Sequence, residues 1–164
     1  MIRCAANLVL CAFLCAACGG DDAKADASGD YAISITSGAN GCNFVNWDEG
    51  ATNTGIPMVI AEEDTGVSAS VGGISALFLD LLLGSNTFTG DISGSDIALD
   101  IEGTVERSQD GCTHFVNSSL DATIDGDILI GTVTYTIPDN GTSECAALAG
   151  CESVQNFNGT RPPQ

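Results

Sequence analysis

The chain has 164 residues, of which 22 are acidic and only 4 are basic, so its formal net charge is −18 at pH 7. A surface with this charge repels phosphate backbones and anionic lipid headgroups, so we expect neither of them as a partner. The length allows one domain with its own hydrophobic core.

The N-terminal residues have the features of an export signal. One positive side chain, Arg3, precedes the apolar stretch Cys4 to Ala17, which is shorter than the roughly 20 residues of a membrane-spanning helix. The stretch leads into Leu14-Cys-Ala-Ala-Cys18, which resembles the processing site of bacterial lipoproteins except that Cys15 stands where Leu is usual. An ordinary secretory signal without a lipid is the alternative.

The lipoprotein resemblance implies a boundary at Cys18. Residues 1–17 would be a signal peptide, and Cys18 would carry the acyl chains that hold the protein on a bilayer. Gly19 replaces the Asp that retains many such proteins in the inner membrane, which implies the outer membrane of a Gram-negative bacterium. Residues 18–29 are rich in Gly, Asp and Ala, which predicts a flexible tether before a single β domain over residues 30–164.

Apolar and polar residues alternate through most of the β domain, as in Ile97-Ala-Leu-Asp-Ile101. This period of two is typical of strands with one buried and one wet face, and turn sequences such as Asp125-Gly-Asp127 separate the runs. The pattern predicts eight strands, near residues 31–36, 56–61, 67–71, 87–92, 97–106, 116–125, 129–137 and 152–160. We therefore predict an all-β fold, an antiparallel up-and-down meander closed into a barrel, with a two-sheet β-sandwich as the alternative.

Three segments interrupt the alternation. Residues 41–54 contain Trp47 and suggest a long loop. Residues 75–83 are the most apolar stretch and fit either a buried strand or two turns of helix across the barrel mouth. Residues 143–150 suggest a short helix capped by Ser143 and ended by a glycine. The candidate side chains for a mouth or lid are Trp47, Leu77, Phe78 and Leu81.

Four cysteines follow the anchor position, at Cys42, Cys112, Cys145 and Cys151. An even number in an exported domain predicts two disulfides, and all three pairings are open. A short loop could join Cys145 to Cys151 and leave Cys42 for Cys112. Alternatively, a hairpin centred on Gly126 could bring Cys112 to Cys145. The four cysteines lack the paired spacing of a zinc site, and we expect no bound metal or cofactor.

The sequence contains no recognisable catalytic constellation. No Gly-x-Ser-x-Gly motif occurs, and the only histidine, His114, is expected to be an ordinary strand residue. Acidic residues cluster in Glu62-Glu-Asp64 and Asp125-Gly-Asp127. Calcium prefers such oxygen ligands, but neither segment has EF-hand spacing, so we interpret both as charged turns rather than calcium sites.

Four segments are distinctive: Asn40-Gly-Cys-Asn-Phe-Val-Asn-Trp47, Gly131-Thr-Val-Thr-Tyr135, the turn from Cys145 to Cys151, and Phe157-Asn-Gly-Thr-Arg161. Together they resemble a group of uncharacterised bacterial lipoproteins, which implies no known activity. In architecture the predicted meander is similar to lipocalin-type barrels, which implies a small apolar ligand. The Gly-x-Trp signature of lipocalins is missing from the first strand, because Trp47 lies in a loop.

These features favour an envelope lipoprotein with a binding or structural role. Its expected partners are the bilayer, through Cys18, and a small apolar molecule or another envelope protein. The alternative is an extracytoplasmic hydrolase acting on sugars or peptides, which would need two carboxylates, or His114 with Ser and Asp, in one cleft. An apolar pocket reached past residues 75–83 would favour small-molecule binding.

Overall fold

The computed structural model describes residues 24–63 and 66–162. The predicted signal peptide, Cys18, the first part of the tether and Asp64 lie outside these ranges. The strands are β1 (Gly29–Asn40), β2 (Thr52–Glu63), β3 (Gly66–Val71), β4 (Thr87–Ser93), β5 (Asp96–Ile101), β6 (Arg107–Gln109), β7 (Cys112–His114), β8 (Asn117–Asp125), β9 (Ile128–Thr136) and β10 (Glu152–Thr160). Helix α1 (Gly73–Leu83) lies between β3 and β4, and a single 3₁₀ turn (Ser143–Cys145) lies between β9 and β10.

Eight of the strands, β1–β5 and β8–β10, form a closed antiparallel barrel in which sheet neighbours follow one another along the chain. The sheet closes where β10 pairs with β1, with Ile33 opposite Gly159 and Ile35 opposite Phe157. The predicted all-β, up-and-down barrel is confirmed. The alternative of a two-sheet sandwich is wrong, because one continuous sheet closes on itself.

The predicted strand over residues 97–106 is too long. β5 ends at Ile101, and the chain leaves the barrel to form the separate hairpin β6–β7. The backbone explains why the alternation does not continue as a strand. The Gly103 N–H donates to Asn117 Oδ1 at 3.1 Å, and the Thr104 N–H donates to the Leu83 carbonyl at 2.8 Å. These donors therefore bind a side chain and the end of α1 instead of a neighbouring strand.

The most apolar segment forms a helix. Helix α1 ends at Gly84, which adopts a left-handed conformation with φ of 88° and donates its N–H to the Asp80 carbonyl at 2.9 Å. A Cβ at this position would lie 2.3 Å from Thr104 Oγ1, so both the turn and the space require glycine. The helix predicted over residues 143–150 is wrong except for the single 3₁₀ turn Ser143–Cys145. The N-terminal cap of this turn is Thr142, not the predicted Ser143, and no side-chain hydrogen bond caps it.

Both disulfides lie among the long connections at one end of the barrel. Cys42 pairs with Cys151, and Cys112 pairs with Cys145. The alternative of a local loop from Cys145 to Cys151 is therefore wrong. Cystines persist in oxidising compartments, so the two disulfides fit an extracytoplasmic location. We call this end of the barrel the mouth end.

The opposite end, which we call the base, has three short turns and receives the start of the described chain. The Ala25 N–H donates to the Gly94 carbonyl at 2.8 Å, and Ala27 is fully buried. Lys24 Nζ lies 2.7 Å from Glu62 Oε2, and this hydrogen-bonded ammonium holds the pKa of Glu62 below its usual value. Residues 24–28 therefore belong to the packed domain, not to the predicted flexible tether.

We expect the Cys42–Cys151 disulfide to stabilise the protein more than the Cys112–Cys145 disulfide. Its partners are 109 residues apart, against 33 for Cys112–Cys145. C42A/C151A should lower the free energy of unfolding by about 2–5 kcal/mol, because the unfolded chain loses a long closed loop. Urea unfolding of the purified protein measures this change. C112A/C145A is the control and should cost less in the chain-entropy picture, so equal or unchanged values would contradict the prediction.

Candidate functional site

The interior of the barrel is packed at the base and open at the mouth end. Next to the base turns, the apolar side chains of Ile60, Ile97, Ile124 and Leu129 are buried and fill the interior. Nearer the mouth, the interior opens into a cavity of about 890 Å³, which we call the mouth cavity. Its strand walls include Ile35, Ile56, Met58, Val71, Phe88 and Val133. The volume is within the roughly 300–1,000 Å³ of typical small-molecule sites.

Helix α1 forms one side of the cavity rim and has two apolar faces. Leu79, Leu82 and Leu83 are buried against the barrel. The other face presents an exposed stripe at spacings of three and four residues, consisting of Ile74, Leu77, Phe78 and Leu81. Ile74 is 86 % exposed and Leu81 is 70 % exposed. Because contiguous exposed apolar surface often marks a binding site, this stripe is the first indication of function.

The stripe meets the cavity through three of its four residues. Ile74, Phe78 and Leu81 line the opening, whereas Leu77 lies on the same stripe but does not line it. Of the four side chains predicted for a mouth or lid, Trp47, Phe78 and Leu81 therefore lie at the cavity. Ile74 was missed by the sequence analysis, although its spacing of four from Phe78 placed both on one helical face.

An aromatic cluster forms the wall opposite α1. The ring centroids of Phe44, Trp47 and Tyr135 lie 5.9–6.2 Å apart, and both contacts of Tyr135 are edge-on. Trp47 Nε1 donates to the Gly38 carbonyl at 2.9 Å, and the Tyr135 hydroxyl donates to Gln155 Oε1 at 3.1 Å. Burial raises the pKa of the Tyr135 phenol above its ordinary value, so this wall is uncharged at neutral pH.

The loop that carries Trp47 is held in place by two kinds of contact. Asn40 Nδ2 donates to the Phe44 carbonyl at 2.9 Å, and the Phe44 N–H donates back to Asn40 Oδ1 at 2.8 Å. Cys42 ties the same loop to Cys151. The aromatic wall is therefore fixed before any ligand arrives, which reduces the entropy cost of binding.

Arg107 is the one charged side chain in the described lining of the cavity. No Asp or Glu lines it among the residues of the described chain, whereas Arg107 and His114 do. The two basic residues are cross-strand partners in the β6–β7 hairpin. Arg107 Nη2 donates to the Leu81 carbonyl in the last turn of α1, and its buried Nε has no hydrogen-bond partner in residues 24–63 and 66–162. Nothing in the local sequence distinguished Arg107.

The residues proposed for the alternative hydrolase do not meet in this cavity. His114 lies in a strand, as expected, and its Nδ1 is 3.5 Å from the sulfur of the disulfide-bonded Cys112. The two carboxylates that glycoside cleavage would need are missing from the described cavity wall. Sequence reasoning placed His114 correctly in a strand but did not predict that it faces a cavity.

The acidic turns have other partners. Glu62 accepts from Lys24 and from the Ala27 N–H, and Asp127 accepts from Arg161 Nε at 3.0 Å. Across the part of the chain that the structure describes, no three His, Cys, Asp or Glu side chains are grouped to hold a metal ion.

Comparisons with known proteins identify neither a family nor a function for this chain. No protein-family model, curated protein or solved structure matched the chain. Within residues 24–63 and 66–162, no helix has the length and apolar character to cross a membrane. A function for this protein therefore has to be argued from the chemistry of the mouth cavity.

We expect the buried face of α1, and not its exposed stripe, to contribute the packing that holds the helix on the barrel. Leu83 is 1 % exposed, so L83A should lower the free energy of unfolding by about 2–5 kcal/mol through lost packing and a residual cavity. Leu77 is 62 % exposed on the same helix, and L77A should change the free energy of unfolding by less than about 0.5 kcal/mol. Thermal or urea unfolding of both variants measures the difference. A large loss in L77A would show that the exposed stripe is packed against something in solution.

Proposed function

We propose that this protein is a lipid-anchored envelope protein that binds a small apolar molecule in the mouth cavity. The supporting observation is the combination of an open cavity of about 890 Å³ with an exposed apolar rim on α1. A purely structural barrel of this size could fill its centre with side chains. Here the base is filled and the mouth is not.

The energetics favour an apolar occupant. Each 100 Å² of apolar surface removed from water contributes about 2.5 kcal/mol before the costs of association. An apolar ligand would cover the rim residues Ile74, Phe78 and Leu81 and the cavity wall together. The wall is held by Asn40 and a disulfide, so little ordering entropy opposes binding.

The fold orients the cavity relative to the proposed anchor. Residue 24 contacts the base through Glu62, while the cavity opens at the opposite end among the long loops. Residues 18–24 could reach at most about 25 Å, at roughly 3.5 Å per residue. A protein attached through Cys18 would therefore hold its base towards the bilayer and its mouth towards the surrounding medium. Molecules arriving from that medium would reach the cavity first.

Lipidation is tested by metabolic labelling with an alkyne fatty acid in a bacterial host. The parent protein should incorporate the label, and C18A should not, because the acyl chains are proposed to be attached at this cysteine. C15A is the matched control, since it removes a neighbouring cysteine of the signal and should still be labelled. Label retained in C18A, or absent from the parent, would show that the anchor assignment is wrong.

Ligand binding is tested on a soluble form, residues 19–164, exported behind a cleavable secretory signal. The closed barrel and both disulfides lie within residues 24–162, so this form keeps every element described above. The neutral probe N-phenyl-1-naphthylamine should bind with enhanced fluorescence. F78Q/L81Q should weaken its affinity by about tenfold, equivalent to ~1.4 kcal/mol, because two apolar rim contacts become polar.

L77Q/I130Q is the matched control for the rim variant. It also converts two exposed apolar residues to glutamine, but neither residue lines the cavity. The probe affinity should stay within about twofold of the parent value. Equal weakening in both double variants, or an absence of probe binding to the parent, would sink the proposed function.

A further inference from the structure

We infer that the ligand is an anionic amphiphile, whose apolar chain enters the mouth cavity and whose carboxylate is bound by Arg107. This inference rests on the proposed function and adds the chemical class of the ligand. The relevant geometry is a positive side chain at the rim of a cavity that has a large apolar surface and, among the described residues, no acidic side chain. Long-chain monocarboxylates combine these two requirements in one molecule.

Arg107 differs from the other cations of the described chain in having no carboxylate partner. Lys24 pairs with Glu62 at 2.7 Å, and Arg161 pairs with Asp127 at 3.0 Å. Both of those pairs lie at the base. Arg107 lies at the mouth end, where it reaches only the Leu81 carbonyl at the end of α1. In a protein with 22 acidic residues, the charge of Arg107 thus remains available to a ligand.

The hydrogen-bonding capacity of Arg107 is largely unused. A guanidinium has five N–H donors in a planar fork, and within the described ranges this one has a single acceptor, with its Nε buried and unpaired. Leaving a buried charged donor unsatisfied is costly. A carboxylate offers two oxygens that match two parallel guanidinium donors, and the remaining N–H groups of Nη1 and Nη2 provide such a pair.

The rest of the cavity lining disfavours a cationic ligand. No acidic side chain of the described residues lines the cavity, so a cationic ligand would find no partner there and would face Arg107. His114, the cross-strand neighbour of Arg107, lies on the same wall and adds a polar ring. The β6–β7 hairpin therefore supplies the positive charge of the described lining, and strand residues such as Ile56, Met58 and Phe88 supply apolar surface.

The test compares two ligands that share one chain, laurate and dodecanol, below the concentration at which they form micelles. Trp47 is the only tryptophan and lines the cavity, so its emission reports occupancy in the soluble form. We expect laurate to bind about tenfold or more tightly than dodecanol, because only laurate forms charge-assisted hydrogen bonds with Arg107. R107Q should reduce this ratio to about twofold or less, because laurate loses its charge-assisted hydrogen bonds.

Two controls separate a ligand contact from a structural role of Arg107. K24Q removes the same charge at the base, so it should leave the laurate-to-dodecanol ratio unchanged. R107K keeps the positive charge and should retain at least about half of the preference on a logarithmic scale. If R107Q and R107K instead weaken both ligands equally, Arg107 only supports the end of α1, and the inference is wrong.

The binding measurements distinguish a failure of the anionic-ligand inference from a failure of the proposed function. Equal affinities of the parent for laurate and dodecanol would overturn the assignment of an anionic ligand and leave apolar binding intact. Binding of N-phenyl-1-naphthylamine with no response to laurate would do the same. If neither the neutral probe nor either ligand binds, the proposed function fails together with this inference.

Discussion

The pairing of β10 with β1 is the constraint on which the rest of the structure depends. Its register, with Ile33 opposite Gly159 and Ile35 opposite Phe157, joins the last strand to the first and leaves the barrel no open edge. Once the sheet is closed, alternate residues of every barrel strand must point inward, and eight strands enclose just enough room for side chains or one small ligand. Whether the barrel interior is filled or contains a cavity then depends only on the inward side chains and on the segments that cover the two ends.

The two ends of the barrel are stabilised by different means. At the base, Arg161 binds Asp127, donates to the Ser28 carbonyl at 2.6 Å and lies 5.8 Å from the Tyr31 ring centroid. It thereby joins the last strand, the β8–β9 turn and the start of the chain. Both disulfides lie among the long loops of the mouth end. Covalent links therefore join the loops of the mouth end to one another, whereas packing and hydrogen bonds close the base.

The fold was predictable because its main signal is local. Alternation identifies the inward residues of each strand without knowledge of the partners, and it found all eight barrel strands. The pattern did not distinguish a helix from a strand for α1. Because this helix is apolar on both its buried and its exposed face, its hydrophobic periodicity is weak. The disulfide pairing and the isolation of Arg107 depend on contacts between residues far apart in sequence. Gly103 and Thr104 continue the alternating pattern but bond to Asn117 and Leu83, which no local rule could show.

The distribution of charge explains how so acidic a chain could select an anion. Acidic residues on the strands, such as Asp96, Asp100, Asp121 and Asp125, alternate with core residues and are exposed on the outer face. At physiological ionic strength the Debye length is about 8 Å, so these exposed charges act mainly on their immediate surroundings. The mouth cavity has no acidic residue in its described lining, and there the local field is dominated by Arg107. In the proposed function, net charge would therefore govern solubility and the approach of ligands, while the positive charge of Arg107 at the rim would decide which ligand stays bound.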